Sequence, residues 1–170
     1  MTGTATGATV YIALGSNLGD RAAYLQAALD RLRATVLVIA VSPVYETDPV
    51  GYAEQGPFLN AVVAGTTTST PRELLRTLQE LERAAGRERP FPNAPRTLDL
   101  DLLSYNALML DTRDLTVPHP RLHKRAFVLV PLADIAPDLV VPGLGRTVAA
   151  LLADLGPTIG IHPTDIVLAR

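Results

Sequence analysis

Apolar residues recur along the chain in two rhythms, one of about two and one of about 3.6, and the changes of rhythm mark out its elements. Val10 to Leu14 is a short apolar run closed by Gly15-Ser16-Asn17-Leu18-Gly19-Asp20, which predicts a strand, a turn and a helix with Asp20 as N-cap. Ala22, Leu25, Leu29 and Leu32 give that helix its buried stripe. Val36 to Val44 is rich in β-branched residues and predicts a strand, ending at Tyr45-Glu46-Thr47-Asp48-Pro49, with a loop as far as Gln55-Gly56-Pro57. Phe58 to Gly65 returns as a strand. Thr70-Pro71-Arg72-Glu73 is a capping box with proline at the first helical position, and Leu74, Leu78 and Leu81 follow as a core face. Gln79 and Glu82 lie together to one side of that helix, and Gly86 ends it.

Beyond the proline-rich Arg87 to Pro95 (RERPFPNAP), Leu98 to Leu103 predicts another strand, with Leu108 to Leu110 as a short hairpin partner. Leu115-Thr116-Val117 leads to Pro118-His119-Pro120. Arg121 to Ala136 reads partly as helix, with a break or a new start at Pro131, and Thr147 to Leu155 as a last amphipathic helix. The order strand-helix-strand-strand-helix-strand predicts an α+β fold with a ferredoxin-like split βαβ core, a mainly antiparallel sheet with helices packed on it. We expect residues 1–170 to form one domain, with its core at about 10–155 and a weakly specified tail at 157–170.

Pro95 to Leu103, PRTLDLDLL, departs from the apolar rule. Side chains alternate along a strand, so Leu98, Leu100 and Leu102 face one way and Asp99 and Asp101 the other. Neighbouring carboxylates raise each other's proton affinity unless a cation or water separates them. Two readings are open: an edge strand with one wet face, or a metal site.

Composition narrows the choice. The chain has 170 residues, 48% of them apolar, a net charge of −2 and a pI near 5.9, so no general field attracts nucleic acid or an anionic membrane. Without cysteine there is no disulfide, thiolate zinc site or cysteine nucleophile. The N-terminal MTGTATGATVYIALG lacks the basic segment of a secretory signal, and no apolar stretch approaches the ~18 residues of a membrane span, which places the protein in the cytoplasm. Of the 15 basic residues eight fall between Arg83 and Arg125, around the acid pair, and all but Lys124 are arginines. Arginine forks suit phosphate oxygens.

No phosphate-cradling glycine loop is present; Gly143-Leu144-Gly145-Arg146-Thr147 has only its shape and reads as a plain turn. Gly15-Ser16-Asn17 either offers backbone amides to an anion or makes an ordinary turn. His119, between prolines, is a turn residue or a ligand. Paired carboxylates, flanking arginines and a proline-rich loop are the parts of a magnesium nucleotide site built without a phosphate loop.

ALGSNLGDR, YETDPVG, GPFLNAVV, PRTLDLDLL and VPHPRLHKRAFVLVPLADIAPDL, spread from about Val10 to Leu155, together resemble the 6-hydroxymethyl-7,8-dihydropterin pyrophosphokinases of folate biosynthesis. The resemblance implies transfer of a diphosphoryl group from ATP to the pterin's hydroxymethyl oxygen, attacking in line and releasing AMP, with two Mg2+ ions. It implies Asp99 and Asp101 as magnesium ligands and Arg87 and Arg96 as catalytic-loop arginines. Gln79, Glu82, Arg89, Thr116, His119 and Arg125 would contact ATP. The pterin would meet Thr47, Asp48, Val50, Phe58, Asn60 and Phe127, where two aromatic faces can stack a flat ring and an amide can pair with its edge. Core packing is the alternative for the two phenylalanines. Asn93 and Ala94 stand where some relatives carry Trp and Gly, and Pro120 replaces a common aromatic. A regulatory small-molecule module and an RNA-binding domain are the rival readings; the first would not need this set of acids and arginines, and the central acids disfavour the second.

Overall fold

The computed structural model describes residues 7–169. Strand β1 (Ala8–Ser16) lies between β4 (Phe58–Thr67) and β5 (Asp99–Tyr105) inside a six-stranded sheet whose pairings are all antiparallel. On the far side of β4, β2 (Leu37–Val41) pairs with Val63–Thr66 and β3 (Tyr45–Thr47) with Phe58–Asn60. Helices α1 (Arg21–Leu32) and α2 (Pro71–Ala84) make the crossovers, which gives the expected α+β split βαβ order.

The leucine faces explain the layering. Ile12 and Leu14 of β1, Leu59 and Val63 of β4, and Leu98, Leu100 and Leu102 pack against Leu25, Leu29 and Leu32 of α1 and Leu74 and Leu78 of α2. On the opposite face Val62 and Leu103 meet Val128, Leu129 and Leu132 of α3 (Ala126–Ile135) and Val148 and Leu151 of α4 (Val148–Asp154). Each fully buried leucine contributes about 1.5–3 kcal/mol relative to exposure, so both helix layers are held mainly by these side chains. The caps hold as read. The Asp20 carboxylate accepts the Ala23 N–H at 3.2 Å, and Thr70 and Glu73 satisfy each other's backbone N–H groups at 3.2 and 2.8 Å.

Four expectations change. Leu108 to Leu110 does not pair with β5; β6 (Leu110–Asp111) forms a separate two-stranded hairpin with β7 (Thr116–Val117), as β8 (Val140–Val141) does with β9 (Arg146–Thr147). The strand read across Val36 to Val44 is broken, and Tyr45–Thr47 pairs as a separate strand. At the break the Ser42 hydroxyl takes the Val62 N–H (2.8 Å), the Ser42 N–H donates to the Val62 carbonyl (2.9 Å), and Pro43 has no N–H to continue a ladder. Pro131 does not interrupt α3; the discontinuity falls at Arg125, between a 3-10 turn at Leu122–Lys124 and the helix. Only the bond to the Phe127 carbonyl is forgone there, and the buried ring adds to the apolar layer. The tail, weakly patterned in sequence, is ordered by tertiary partners. β10 (Ile161–Pro163) pairs with β3, Leu168 is buried in the first core, and the Ala169 carbonyl accepts from Gln26 at 3.2 Å and Arg33 at 2.9 Å. Among the described residues no helix is long and apolar enough to cross a membrane.

Candidate active site

Strand β5 presents its two carboxylates on the face that α3 and α4 cover further along. Asp99 lines a cavity of ≈ 330 Å³ at the N-terminal end of α3. Thr47, Asp48, Val50, Phe58, Asn60 and Phe127, all expected around the pterin, line this one cavity, with Arg96 and Arg125. A recess along the loop after α2 shares Asn93 and Arg96 with the cavity, and it shares Arg87 and Arg89 with a third recess that reaches Gln79 and Glu82. The three adjoin through these side chains as a trough, with aromatic and amide groups at one end and arginines along the rest; Asp101 and His119 are not among the lining residues. Thr116 stands apart on strand β7 (Thr116–Val117), its hydroxyl donating to Asp111 at 3.2 Å.

Charge is dense here. Arg87 is ion-paired with Glu82 and donates to Asp99 Oδ1 at 2.7 Å, while Arg96 Nε lies 3.5 Å from Asp99 Oδ2. Asp101 has looser company, with Arg125 at 3.7 Å and His119 Nε2 at 4.0 Å. Burial and the neighbouring Asp99 push its carboxyl up to about 6. Burial, with Arg125 and Arg121 nearby, pushes the His119 imidazole down to about 4, so the ring is neutral at pH 7. Glu82 is 5% exposed, and burial raises its carboxyl against the pull of Arg87 and of the Leu100 N–H at 3.3 Å.

Two carboxylates on one strand face, one without a close donor, suit a divalent cation. Among the described residues no cluster of three or more His, Asp, Glu or Cys is arranged for a metal. A hard cation would take its remaining positions from phosphate oxygens and water, which is the coordination habit of magnesium.

Asn17, not singled out in the sequence beyond its turn, holds the trough together. Its amide donates to Gln55 Oε1 (2.7 Å) and the Gly56 carbonyl (3.1 Å), and its oxygen accepts the Arg96 N–H (2.8 Å). This stitches the loop of 49–57 to the start of β5, and the Tyr52 and Phe91 rings meet edge to face at 5.1 Å across the same seam. Asn17→Ala is expected to lose three buried or half-buried hydrogen bonds, about 2 kcal/mol after water substitution, and to lower Tm by about 5 °C with the two-state transition retained. An unchanged Tm in differential scanning calorimetry would count against this role. Gly15 gives the other missed signal. A Cβ there would sit 2.7 Å from Asn60 Oδ1, so a glycine within a strand leaves room for the amide that donates to Thr47 Oγ1 at 2.7 Å. Ala94 is buried and its carbonyl accepts from Arg96 at 2.9 Å; the left-handed residues of this loop are Asn93 (φ 58°) beside it and, at the other end, Gly86 (φ 76°).

Comparison with known proteins agrees with the motifs. A family model described as 7,8-dihydro-6-hydroxymethylpterin-pyrophosphokinase matches residues 11–137. The 2-amino-4-hydroxy-6-hydroxymethyldihydropteridine pyrophosphokinase of Bacillus subtilis is 51% identical over 127 residues, 74% of this chain and 76% of that protein. Its namesake in Pseudomonas aeruginosa is 51% identical over 147 residues, 85% of this chain and 90% of that protein. The solved structure of Plasmodium falciparum HPPK-DHPS, wild type with pterin and p-hydroxybenzoate, superposes with a TM-score of 0.72 over 90% of this chain at 16% identity. This chain spans 44% of that longer one, and at such identity the likeness concerns the fold. From the family match and the two bacterial relatives, the chain belongs to the 7,8-dihydro-6-hydroxymethylpterin-pyrophosphokinase family.

Proposed function

We propose that the trough binds ATP along its arginines and 6-hydroxymethyl-7,8-dihydropterin in the cavity at its end, with Asp99 and Asp101 as ligands of two magnesium ions. The reaction is transfer of a diphosphoryl group from ATP to the pterin hydroxymethyl group in folate biosynthesis. The hydroxymethyl oxygen gives up its proton to solvent and bonds to the β-phosphorus, the bond from that phosphorus to the α–β bridging oxygen breaks, and AMP leaves.

The observation that carries this reading is the pairing of arginines with carboxylates around one trough. Arg87 Nε and Arg96 Nε are buried without a hydrogen-bond partner among the described residues, Arg96 Nε facing Asp99 Oδ2 only at ion-pair distance (3.5 Å). Magnesium held by the two aspartates would supply charge neutralisation at the phosphates. The chain's own work is positioning. The Arg96 guanidinium lies 4.7 Å from the centre of the Phe58 ring and 3.5 Å from Asp99, and Arg125 lies 5.4 Å from the Phe127 ring centre and 3.7 Å from Asp101. Each arginine thus spans the distance between a flat-ring slot and the carboxylate pair, where the pterin's arm must meet the phosphates. Buried Glu82, with Gln79 and Arg89, borders the nucleotide end; neutral His119 stands beside Asp101, and it and Thr116 are assigned to ATP by resemblance alone.

A net charge of −2 offers no general field to nucleic acid or an anionic membrane, and we read the enzyme as cytoplasmic. Incubation with ATP, magnesium and the hydroxymethyldihydropterin is expected to yield AMP and the pterin diphosphate; ADP, or no nucleotide product, would overturn the assignment. Asn60→Ala is expected to weaken pterin binding by roughly 1–3 kcal/mol, since the ring edge would lose its partner, and to leave ATP affinity nearly unchanged. Calorimetric titration showing equal losses for both ligands would contradict that placement.

A further inference from the structure

The C-terminal tail reaches the pterin cavity from behind. β10 lies beside β3 in the register Ile161↔Thr47, His162↔Glu46 and Pro163↔Tyr45, so it borders the strand that ends in the cavity residues Thr47 and Asp48. One residue before β10, the Gly160 carbonyl accepts the Asp48 N–H at 2.9 Å. Gly160 has φ 76°, and a Cβ added to it would lie 2.5 Å from Asp48 Oδ2, 3.0 Å from Cγ and 3.2 Å from Cβ. The far end of the tail is anchored separately, by Thr164 hydroxyl donation to the Val44 carbonyl (2.7 Å), by buried Leu168 and by the Gln26 contacts of Ala169.

We infer that the tail is part of the substrate-recognition apparatus, with Gly160 as a positioning residue that sets the direction of the Asp48 carboxylate at the cavity rim. The inference rests on the reading that this cavity takes the pterin. The three atoms nearest to a Cβ at Gly160 all belong to one short side chain. Turning the Asp48 carboxylate away relieves the two shortest of these contacts while the hydrogen bond from its N–H stays, and leaves a tight one at its Cβ. Glycine is required twice, once for the left-handed backbone and once for the carboxylate's rotamer. Asp48 itself is exposed, so nothing else on its solvent side fixes that direction.

Three variants of the full chain, assayed with ATP, magnesium and hydroxymethyldihydropterin and scanned for Tm, test this. Asp48→Asn asks whether the carboxylate matters and should raise the pterin KM about tenfold or more, with the ATP KM unchanged. Gly160→Ala should reproduce that rise, again sparing the ATP KM and kcat, with Tm lower by about 3 °C from the strained backbone. Leu168→Ala should lower Tm further through the cavity it leaves, with the pterin KM within twofold of wild type. A pterin KM unchanged in Gly160→Ala but raised in Asp48→Asn refutes the role of Gly160 and leaves the pterin site standing. An unchanged KM in Asp48→Asn refutes both the use of this carboxylate and its positioning by Gly160. A rise in Leu168→Ala equal to that in Gly160→Ala would reduce the effect to general loosening and overturn the inference.

Discussion

Asp99→Asn and Asp101→Asn are each expected to lower kcat by two orders of magnitude or more, with far-ultraviolet circular dichroism and Tm close to wild type. The substitution keeps the shape of the side chain and removes the charge that a cation needs. Loss of one electrostatic contact at developing charge is worth about 3 kcal/mol in the barrier, which is the expected hundredfold and more. Stability should hold in Asp101→Asn, because Asp101 pairs only loosely with Arg125 and His119 and its burial already disfavours the charged form. Asp99→Asn also takes a carboxylate from Arg87 and Arg96, so it should lose somewhat more stability. Measured turnover near wild type in both variants at saturating magnesium would dismiss the metal assignment.

Arg87→Ala should be damaging in two separable ways. It removes a guanidinium from the trough proposed for the nucleotide, for about another hundredfold in kcat, and it leaves Glu82 buried against Leu100 with only the more distant, exposed Arg89 (3.5 Å) as a cation. Breaking a buried pair costs about 3 kcal/mol when the orphaned charge cannot neutralise itself. Glu82 can neutralise itself by taking a proton, and its carboxyl is already raised by burial. In the variant the folded state binds a proton that the unfolded state has released, so stability falls as pH rises above the unfolded value of about 4.3 and levels off beyond the raised folded value. Below both values the penalty is absent. Urea denaturation at pH 5 and pH 8 should therefore show a larger deficit, relative to wild type, at pH 8. A deficit independent of pH would mean that Glu82 is not the group left exposed to the loss.

The alternation of PRTLDLDLL carried the central feature of the site in plain view, because a period of two fixes which residues share a face whatever surrounds the strand. The capping box, the Asp20 cap and the leucine stripes were legible for the same reason: each is a local pattern with a local cause. What escaped the sequence depends on distant partners. Tyr45–Thr47 is three residues long and becomes a strand only because β4 on one side and β10 on the other offer backbone groups. Asn17 meets Arg96 across 79 positions, and no window of the sequence contains both. Glu82 read as a side-facing polar residue on α2, and its burial follows from Arg87 folding back onto it beyond the helix end. Pro131 misled because its cost was counted without the apolar layer that receives its ring.

The two faces of β5 have a consequence for what the lineage of this chain can tolerate. Leucines and aspartates alternate there, so deleting one residue between Leu98 and Leu102 would carry carboxylates into the packed layer and leucines into the trough, and chemistry and folding would fail together. Beyond that segment the register against β1 already slips by one residue at Leu103. Length changes on the Tyr105 side can be absorbed at that irregularity without reaching the acids. Insertions and deletions accumulated over evolutionary time should therefore cluster after Leu103, in the hairpin and turn that follow, while the five positions from Leu98 to Leu102 drift only by substitution.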